Sequence, residues 1–302
     1  MSVAMFPGQG SLSPAVGLPW KNHGARAVLD QISEVANRDV WELLTIVEGD
    51  ELVRTDNAQL ATFAMSAMVG QAARDAGLDA TAAIGHSLGE YSALHFAGIL
   101  SLEDATRLVC ARGTAMLRAS VARPGTMAAI LGADRSTIEA AIRSCDDVVI
   151  ANVNAPGQIV VAGPVDQIEA LRRDARDLGL RKVLVLAVGG AFHSPLMAPA
   201  LQDLDDALAS AEFLEGRCPV VANVDGRLHA GGHVWRGLLS RQLTEPVLFA
   251  DSVTGIGDAH QVFVELGPGG VLAGLVTRIT ETAATLSIVQ PSDLKGLEDL
   301  SV

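Results

Sequence analysis

The stretch Ile84-Gly85-His86-Ser87-Leu88-Gly89-Glu90-Tyr91 restricts the possible folds more than any other. It follows a short apolar run, Ala82-Ala83-Ile84, and enters a helix-compatible segment, Glu90-Tyr91-Ser92-Ala93-Leu94. Gly85-x-Ser87-x-Gly89 has the form of a nucleophile elbow, a serine on a tight turn between a strand and a helix. Such a turn exposes the serine oxygen. It also aims the next N–H, that of Leu88, and the helix N-terminus at negative charge developing beside it. The same pattern suits a glycine-rich strand-to-helix turn with an incidental serine, so the rest of the chain must separate the two.

A chain of 302 residues can bury a large core. Aromatics are scarce, and Ala, Val, Leu and Gly dominate, which suits α/β packing. The formal net charge of −13 argues against a general affinity for nucleic acid or anionic membrane. No apolar run reaches transmembrane length, and the first residues lack a charged leader and cleavage site. Cys110, Cys145 and Cys218 are far apart and read as reduced packing thiols, with no metal site. These features predict a soluble cytoplasmic protein.

Val3-Ala4-Met5-Phe6 reads as a buried strand broken by Pro7-Gly8-Gln9-Gly10, the kind of strand end where open α/β sheets place ligands. No G-K-[ST] follows, so this is not a phosphate loop. Residues 24–48 and 57–76 carry helical periodicity, and Ser101 with Asp104 caps a helix running to about Arg118 that carries Arg107, Arg112 and Arg118. From Pro124 to Val188 the pattern changes. Strands are expected at Thr126–Leu131, Val148–Val153, Gln158–Ala162 and Lys182–Ala187, with helices at Arg135–Ser144 and Val165–Leu178. That βαββαβ order is ferredoxin-like. Pro124-Gly125 and Gly189-Gly190 are natural hinges at its ends. A loop with His193 leads into a helix at 197–210, followed by a strand at Pro219–Val224 and a helix at 233–244. Val262–Leu266 is expected to be the last parallel strand, with a helix at 271–279 and a loose tail after Gln290. The predicted architecture is α/β: a hydrolase-like parallel-sheet domain, 1–123 and 189–302, with an inserted ferredoxin-like subdomain at 124–188.

A serine of this kind needs a base. Of seven histidines, His86 adjoins Ser87 and would point away from it, and His95 lies in the following helix. His229, His233 and His260 have polar or loop surroundings. His193 stands out, in a glycine-flanked loop directly after a predicted strand.

Taken together, Phe6-Pro7-Gly8-Gln9-Gly10, the Gly85–Tyr91 stretch, Arg112-Gly113, Gly190-Ala191-Phe192-His193-Ser194 and Glu265-Leu266-Gly267-Pro268-Gly269 resemble the malonyl-CoA:acyl-carrier-protein transacylase family. That family includes free-standing enzymes of fatty-acid synthesis and acyltransferase domains of polyketide synthases. The motifs occur in its order over about residues 3–280. The resemblance implies that Ser87 accepts the acyl group, that His193 is its general base, and that the N–H groups of Gln9 and Leu88 meet the oxyanion. It implies that Arg112 pairs with the free carboxylate of malonyl, with Gly113 allowing close helix packing. Gln242, in Arg241–Val247, matches the stretch whose main-chain carbonyl holds the histidine. Phe192 in an Ala-Phe-His-Ser pattern implies malonyl rather than methylmalonyl, the ring filling the space of an α-methyl. Asn154, in the expected turn Asn154–Gly157, is a further substrate-side residue, with Asn152 and Gln158 nearby. The implied partners are malonyl-CoA and an acyl carrier protein bearing phosphopantetheine. No cofactor or metal is implied, and the family suggests a monomer. Arg172, Arg173, Arg176, Arg181 and Lys182 form a basic patch expected beside the cleft, suited to docking an acidic carrier. Open alternatives are a malonate decarboxylase transacylase subunit, carrier-to-carrier acyl transfer, and a thioesterase.

Overall fold

The computed structural model describes residues 1–143, 145–256 and 262–299. Ser144, the last residue of the helix expected from Arg135, and His260 lie outside these. The main sheet has six strands in the order β10-β9-β1-β2-β7-β8. They are β1 Ser2–Phe6, β2 Ala80–Gly85, β7 Val220–Val221, β8 Leu228–His229, β9 Val262–Leu266 and β10 Ala284–Ile288. All adjacent pairs run parallel except β7 with β8. Strands β1 and β2 are apolar along both faces, as a doubly covered parallel sheet requires. In register, Phe6 pairs with Gly85. The Pro7–Gly10 and His86–Leu88 loops therefore leave the sheet side by side at its carboxyl edge, where open α/β sheets bind ligands.

The second sheet lies within residues 126–185. Strands β3 Thr126–Leu131, β4 Val149–Ala155, β5 Gln158–Gly163 and β6 Lys182–Val185 pair antiparallel in the order β4-β5-β3-β6. Its alternation is two-sided. Ala128, Ile130, Ile159 and Val161 pack under the helices Arg135–Ile142 and Val165–Arg173, while Met127, Ala129, Val160 and Ala162 join the main core. In β4 a register shift between Ile150 and Asn152 breaks the alternation, so that Ala151 and Asn152 both turn inward. Strand β4 is tied to Val247, outside this sheet, by Val153 N–H donating to Val247 O at 2.8 Å and Val247 N–H donating to Ala151 O at 2.9 Å.

Two long helices form the floor of the site. Thr55–Asp75 is buried along nearly its whole length, as its Ala- and Met-rich composition permits. Leu102–Ala122 begins at Ser101, whose Oγ accepts the Asp104 N–H at 2.9 Å, and runs a turn beyond the expected end. Gly113 lets the two helices approach: a Cβ there would sit 3.0 Å from the Asp56 Cα.

Several expected boundaries shift for local reasons. The 24–48 stretch is broken: Asn37 takes a left-handed conformation (φ 50°) that ends Ala27–Ala36, and Asp39 caps a new helix, Val40–Thr45. Pro195 and Pro199 hold residues Pro195–Ala200 in a 3-10 turn before the α-helix Leu201–Ser210. The 219–224 strand shrinks to Val220–Val221, because Ala222 turns back to Arg227 and Asn223 bonds elsewhere. The helix expected at 233–244 is Trp235–Gln242, and that expected to reach Leu178 ends at Arg173. Val262–Leu266 is not the last strand. The half-buried β10 adds to its edge. Nor is the stretch after Gln290 loose as far as Asp299: Pro291–Lys295 and Gly296–Asp299 are helical, Leu297 is buried, and Trp20 Nε1 donates to Val289 O at 2.8 Å.

Candidate active site

Ser87 sits between β2 and the helix Gly89–Phe96 with φ of 52°, a left-handed conformation that costs a non-glycine residue about 1–3 kcal/mol. The flanking glycines are sterically required. A Cβ on Gly85 would lie 1.9 Å from the Gly89 carbonyl carbon, and one on Gly89 would lie 2.0 Å from Phe6 O. The strained turn is clamped by side chains from distant segments. Asn223 Oδ1 accepts the Ser87 N–H at 2.7 Å and its Nδ2 donates to Gly85 O at 2.7 Å. Gln242 Nε2 donates to Ser87 O at 2.8 Å.

The Ser87 hydroxyl lies 2.7 Å from His193 Nε2. On the other side of the ring, Nδ1–H donates to the main-chain carbonyl of Gln242 at 2.8 Å. That bond selects the tautomer whose Nε2 lone pair faces the serine. His193, only 2 % exposed, also has a left-handed backbone, with φ of 57°. Burial, and then the nearby Arg112 charge, push its pKa down to about 3. The imidazole is therefore neutral, and able to accept a proton, throughout the neutral range.

Arg112 is 1 % exposed. Its Nη1 donates to Gln59 Oε1 at 2.6 Å, and its Nη2 donates to Ser87 Oγ at 3.1 Å and Gln242 Oε1 at 3.0 Å. All three acceptors are uncharged, and among the described residues no carboxylate pairs with it directly. The Tyr91 ring lies beneath it, 5.5 Å from Cζ to centroid. Burial lowers the Arg112 pKa, yet a guanidinium stays protonated. A desolvated cation thus stands beside the Ser87 hydroxyl with no carboxylate hydrogen-bonded to it among the described residues.

Ser87, Arg112 and His193 open onto a cavity of about 330 Å³, which Gln9, Phe192 and Asn154 also line. Among the described residues neither the Gln9 nor the Leu88 N–H donates a hydrogen bond within the chain. The Leu88 side chain itself is fully buried. Asn154 lies on β4 rather than in a turn, because the strand runs through Ala155; its Oδ1 accepts from His86 Nε2 at 2.8 Å. His86 packs against Phe249, makes no hydrogen bond to Ser87 Oγ among the described residues, and lines the cavity. Of the expected site residues, Gln9, Ser87, Arg112, Phe192, His193 and Asn154 line the cavity. Gln242 and Leu88, both fully buried, do not line it, but Gln242 is hydrogen-bonded to Ser87, Arg112 and His193 and so is part of the same cluster. The basic patch is not. Its helix Val165–Arg173 covers the outer face of the second sheet, so the sheet separates it from the cavity. Arg172 pairs with Glu169 and Arg173 with Asp174, as on any solvated helix face.

The sequence reading passed over three residues that build this geometry: Gln59, Glu90 and Asn223. Glu90 Oε1 accepts the Asn223 N–H and its Oε2 accepts from Gln242 Nε2, both at 2.6 Å. Burial raises the Glu90 pKa to about 8, against the pull of those two donors and of Arg112. The available signal was polarity out of place. Gln59 is polar within an Ala- and Met-rich helix, and Glu90 is the one carboxylic side chain of the buried helix Gly89–Phe96.

Comparison with known proteins places this geometry in a wider group. A family model described as an acyl transferase domain matches residues 3–291. The chain belongs to the acyl transferase family. One relative in that family is the malonyl CoA-acyl carrier protein transacylase of Staphylococcus aureus, 36 % identical over 299 residues, spanning 97 % of this chain and 96 % of the relative. Among solved members, a malonyl-transacylase in complex with its type II PKS acyl-carrier protein superposes with a TM-score of 0.93 at 33 % identity, covering 99 % of this chain and 100 % of the other. The malonyl-CoA:acyl carrier protein transacylase of Xanthomonas oryzae gives a TM-score of 0.92 at 35 % identity and 99 % coverage of both chains. The mixed α/β architecture with its parallel sheet is shared across the acyl transferase members.

Proposed function

We propose that this chain moves a malonyl group from CoA, through an ester on Ser87, to the phosphopantetheine thiol of an acyl carrier protein. The observation that carries the reading is Arg112, a buried cation facing only neutral oxygens at 3.0 Å, 3.1 Å and 2.6 Å, one of them the Ser87 hydroxyl. Such a guanidinium calls for a carboxylate on the substrate, and it offers a planar, two-pronged fit to one. The activity in the names of the relatives supports the same donor and acceptor.

In this reading Ser87 is the nucleophile of a nucleophile elbow. His193 Nε2 takes its proton as Oγ attacks the thioester carbon. The carbonyl oxygen becomes an oxyanion met by the N–H groups of Gln9 and Leu88. Collapse breaks the C–S bond, and the imidazolium returns the proton to the departing CoA thiol. The carrier thiol then gives its proton to His193 and attacks the ester; the C–O bond breaks, and the imidazolium returns the proton to Ser87 Oγ. Arg112 holds the malonyl carboxylate, and Gln242 holds both His193 and Arg112. Phe192 closes the space an α-methyl would need, a discrimination worth about 1–3 kcal/mol for one methyl. Asn154 borders the arm on the side of the second sheet. That sheet, 124–188, is a ferredoxin-like subdomain inserted between 1–123 and 189–302, and it roofs the cavity. The substrates bring their own phosphopantetheine, and the mechanism uses no other cofactor.

The test is intact mass after brief incubation with malonyl-, methylmalonyl- and acetyl-CoA, beside Ser87→Ala. The expected result is a malonyl-sized adduct that is absent from the variant and scarce with the other donors. Rapid CoA release without an adduct would make the chain a hydrolase instead.

A further inference from the structure

Glu90 is a buried acid that no step above uses, and it links Asn223 to Gln242, the two side chains that clamp the Ser87 turn. Its two oxygens receive the Asn223 N–H and Gln242 Nε2, each at 2.6 Å. Gln242 is the only described residue that touches all three reacting groups. Its main-chain oxygen holds His193, its Nε2 holds the Ser87 carbonyl, and its Oε1 holds Arg112. A carboxamide can be rotated end for end at little steric cost, which would exchange Oε1 for Nε2. What prevents this is the pair of acceptors on the Nε2 side, Glu90 Oε2 and Ser87 O.

We infer that Glu90 is a positioning residue for carboxylate recognition, which fixes the Gln242 carboxamide and through it the Arg112 guanidinium. The inference rests on the malonyl reading of the site and adds a determinant of its selectivity. With Oε1 turned toward Arg112, Nη2 is held between Gln242 and Ser87 Oγ, where it meets the carboxylate of a bound acyl group. With the carboxamide reversed, an NH₂ would face the guanidinium, and two donors cannot share a hydrogen bond.

Glu90→Gln is the decisive variant because it keeps size while putting an NH₂ where Gln242 Nε2 now finds an accepting oxygen. The Asn223 partner is a main-chain N–H that cannot rotate, so the new side chain turns its oxygen there. Its NH₂ then faces Gln242, whose carboxamide reverses to offer Oε1. The malonyl-to-acetyl ratio of kcat/KM is expected to fall about 10- to 100-fold, in proportion to a lost charge-assisted bond. Gln242→Leu, which retains the main-chain oxygen for His193, should give a similar fall. The double variant should add less than about 2-fold, since both act through one contact. A purely structural role for Glu90 would lower both donors alike and leave the ratio untouched. Unchanged ratios in folded E90Q and Q242L would overturn the inference, as would additive falls in the double variant. A crystal structure of E90Q separates this from the functional reading. If the wild-type chain takes no malonyl, loss of the Arg112–Ser87 contact in E90Q still upholds the positioning role, and its retention removes it.

Discussion

Replacing Arg112 by alanine is the sharpest perturbation of the site, because the guanidinium is buried and each of its hydrogen-bond partners is defined. It makes hydrogen bonds at 2.6, 3.0 and 3.1 Å, all to uncharged oxygens, at 1 % exposure. A bound malonyl carboxylate would replace neutral acceptors with a charged one. Hydrogen bonds of that kind are worth about 1.5–3 kcal/mol each, and a bidentate pair adds geometric fit. Losing about 2–4 kcal/mol of this differential binding lowers malonyl kcat/KM by about 30- to 1,000-fold. Acetyl-CoA has no carboxylate to lose, so the malonyl-to-acetyl ratio should fall by nearly the whole factor. The assay is initial-rate CoA release with each donor in the presence of carrier protein. A second consequence is independent of the donor. The Arg112 charge is the second-largest influence lowering the His193 pKa, after burial. The acid limb of the pH–rate profile should therefore move to higher pH in the variant. Equal losses for malonyl and acetyl, with an unmoved acid limb, would refute the assignment of Arg112 to the carboxylate.

Two further predictions concern stability. His193 is held near a pKa of about 3 in the fold, against an ordinary 6.5, so between those values the unfolded chain binds more protons. Stability is thus lost as pH falls from 6.5 toward 3, by on the order of 4–5 kcal/mol for this group alone. Chemical denaturation from pH 7 to 4 should show a shallower decline in His193→Asn, and parallel curves would contradict the burial argument. Gly89→Ala places a Cβ 2.0 Å from Phe6 O and 2.7 Å from Phe6 C, main-chain atoms fixed in the sheet. The cost should exceed about 4 kcal/mol and appear as insoluble or cold-labile protein; a variant melting near the wild-type temperature would show that the elbow can relax.

The parts of this protein that could be read from the linear chain are those governed by neighbours in sequence. The glycines on either side of Ser87 are dictated by contacts within one turn and with the adjacent strand. The Ser101 cap and the apolar strands 3–6 and 126–131 follow from propensity and periodicity, and all appear where expected. Ser87 and His193 stand out in short glycine-flanked motifs, whereas Arg112 stands out only through the family resemblance; the structure brings the three side chains together. The breaks at Asn37 and Pro199 were not expected, because helical periodicity runs across both positions and the left-handed asparagine and the proline interrupt it locally. Strand β10 was not expected either, because an edge strand only half buried carries too little apolar pattern to declare itself.

The electrostatics of the site could not be read this way. Whether Arg112 is a solvated surface group or a buried cation depends on what covers it, and Gln59, Tyr91 and Gln242 come from three other helices. The clamp on the serine turn joins Glu90, Asn223 and Gln242 across separations of 133 and 152 residues. The register shift in β4 that turns Asn152 inward, and the sheet that separates the Arg172 patch from the cavity, are likewise products of packing. Periodicity reports which residues avoid water; it does not report which polar groups meet once water has been excluded. Desolvation and long-range hydrogen bonding are properties of the assembled layers, and they turn a serine, a histidine and an arginine into one site.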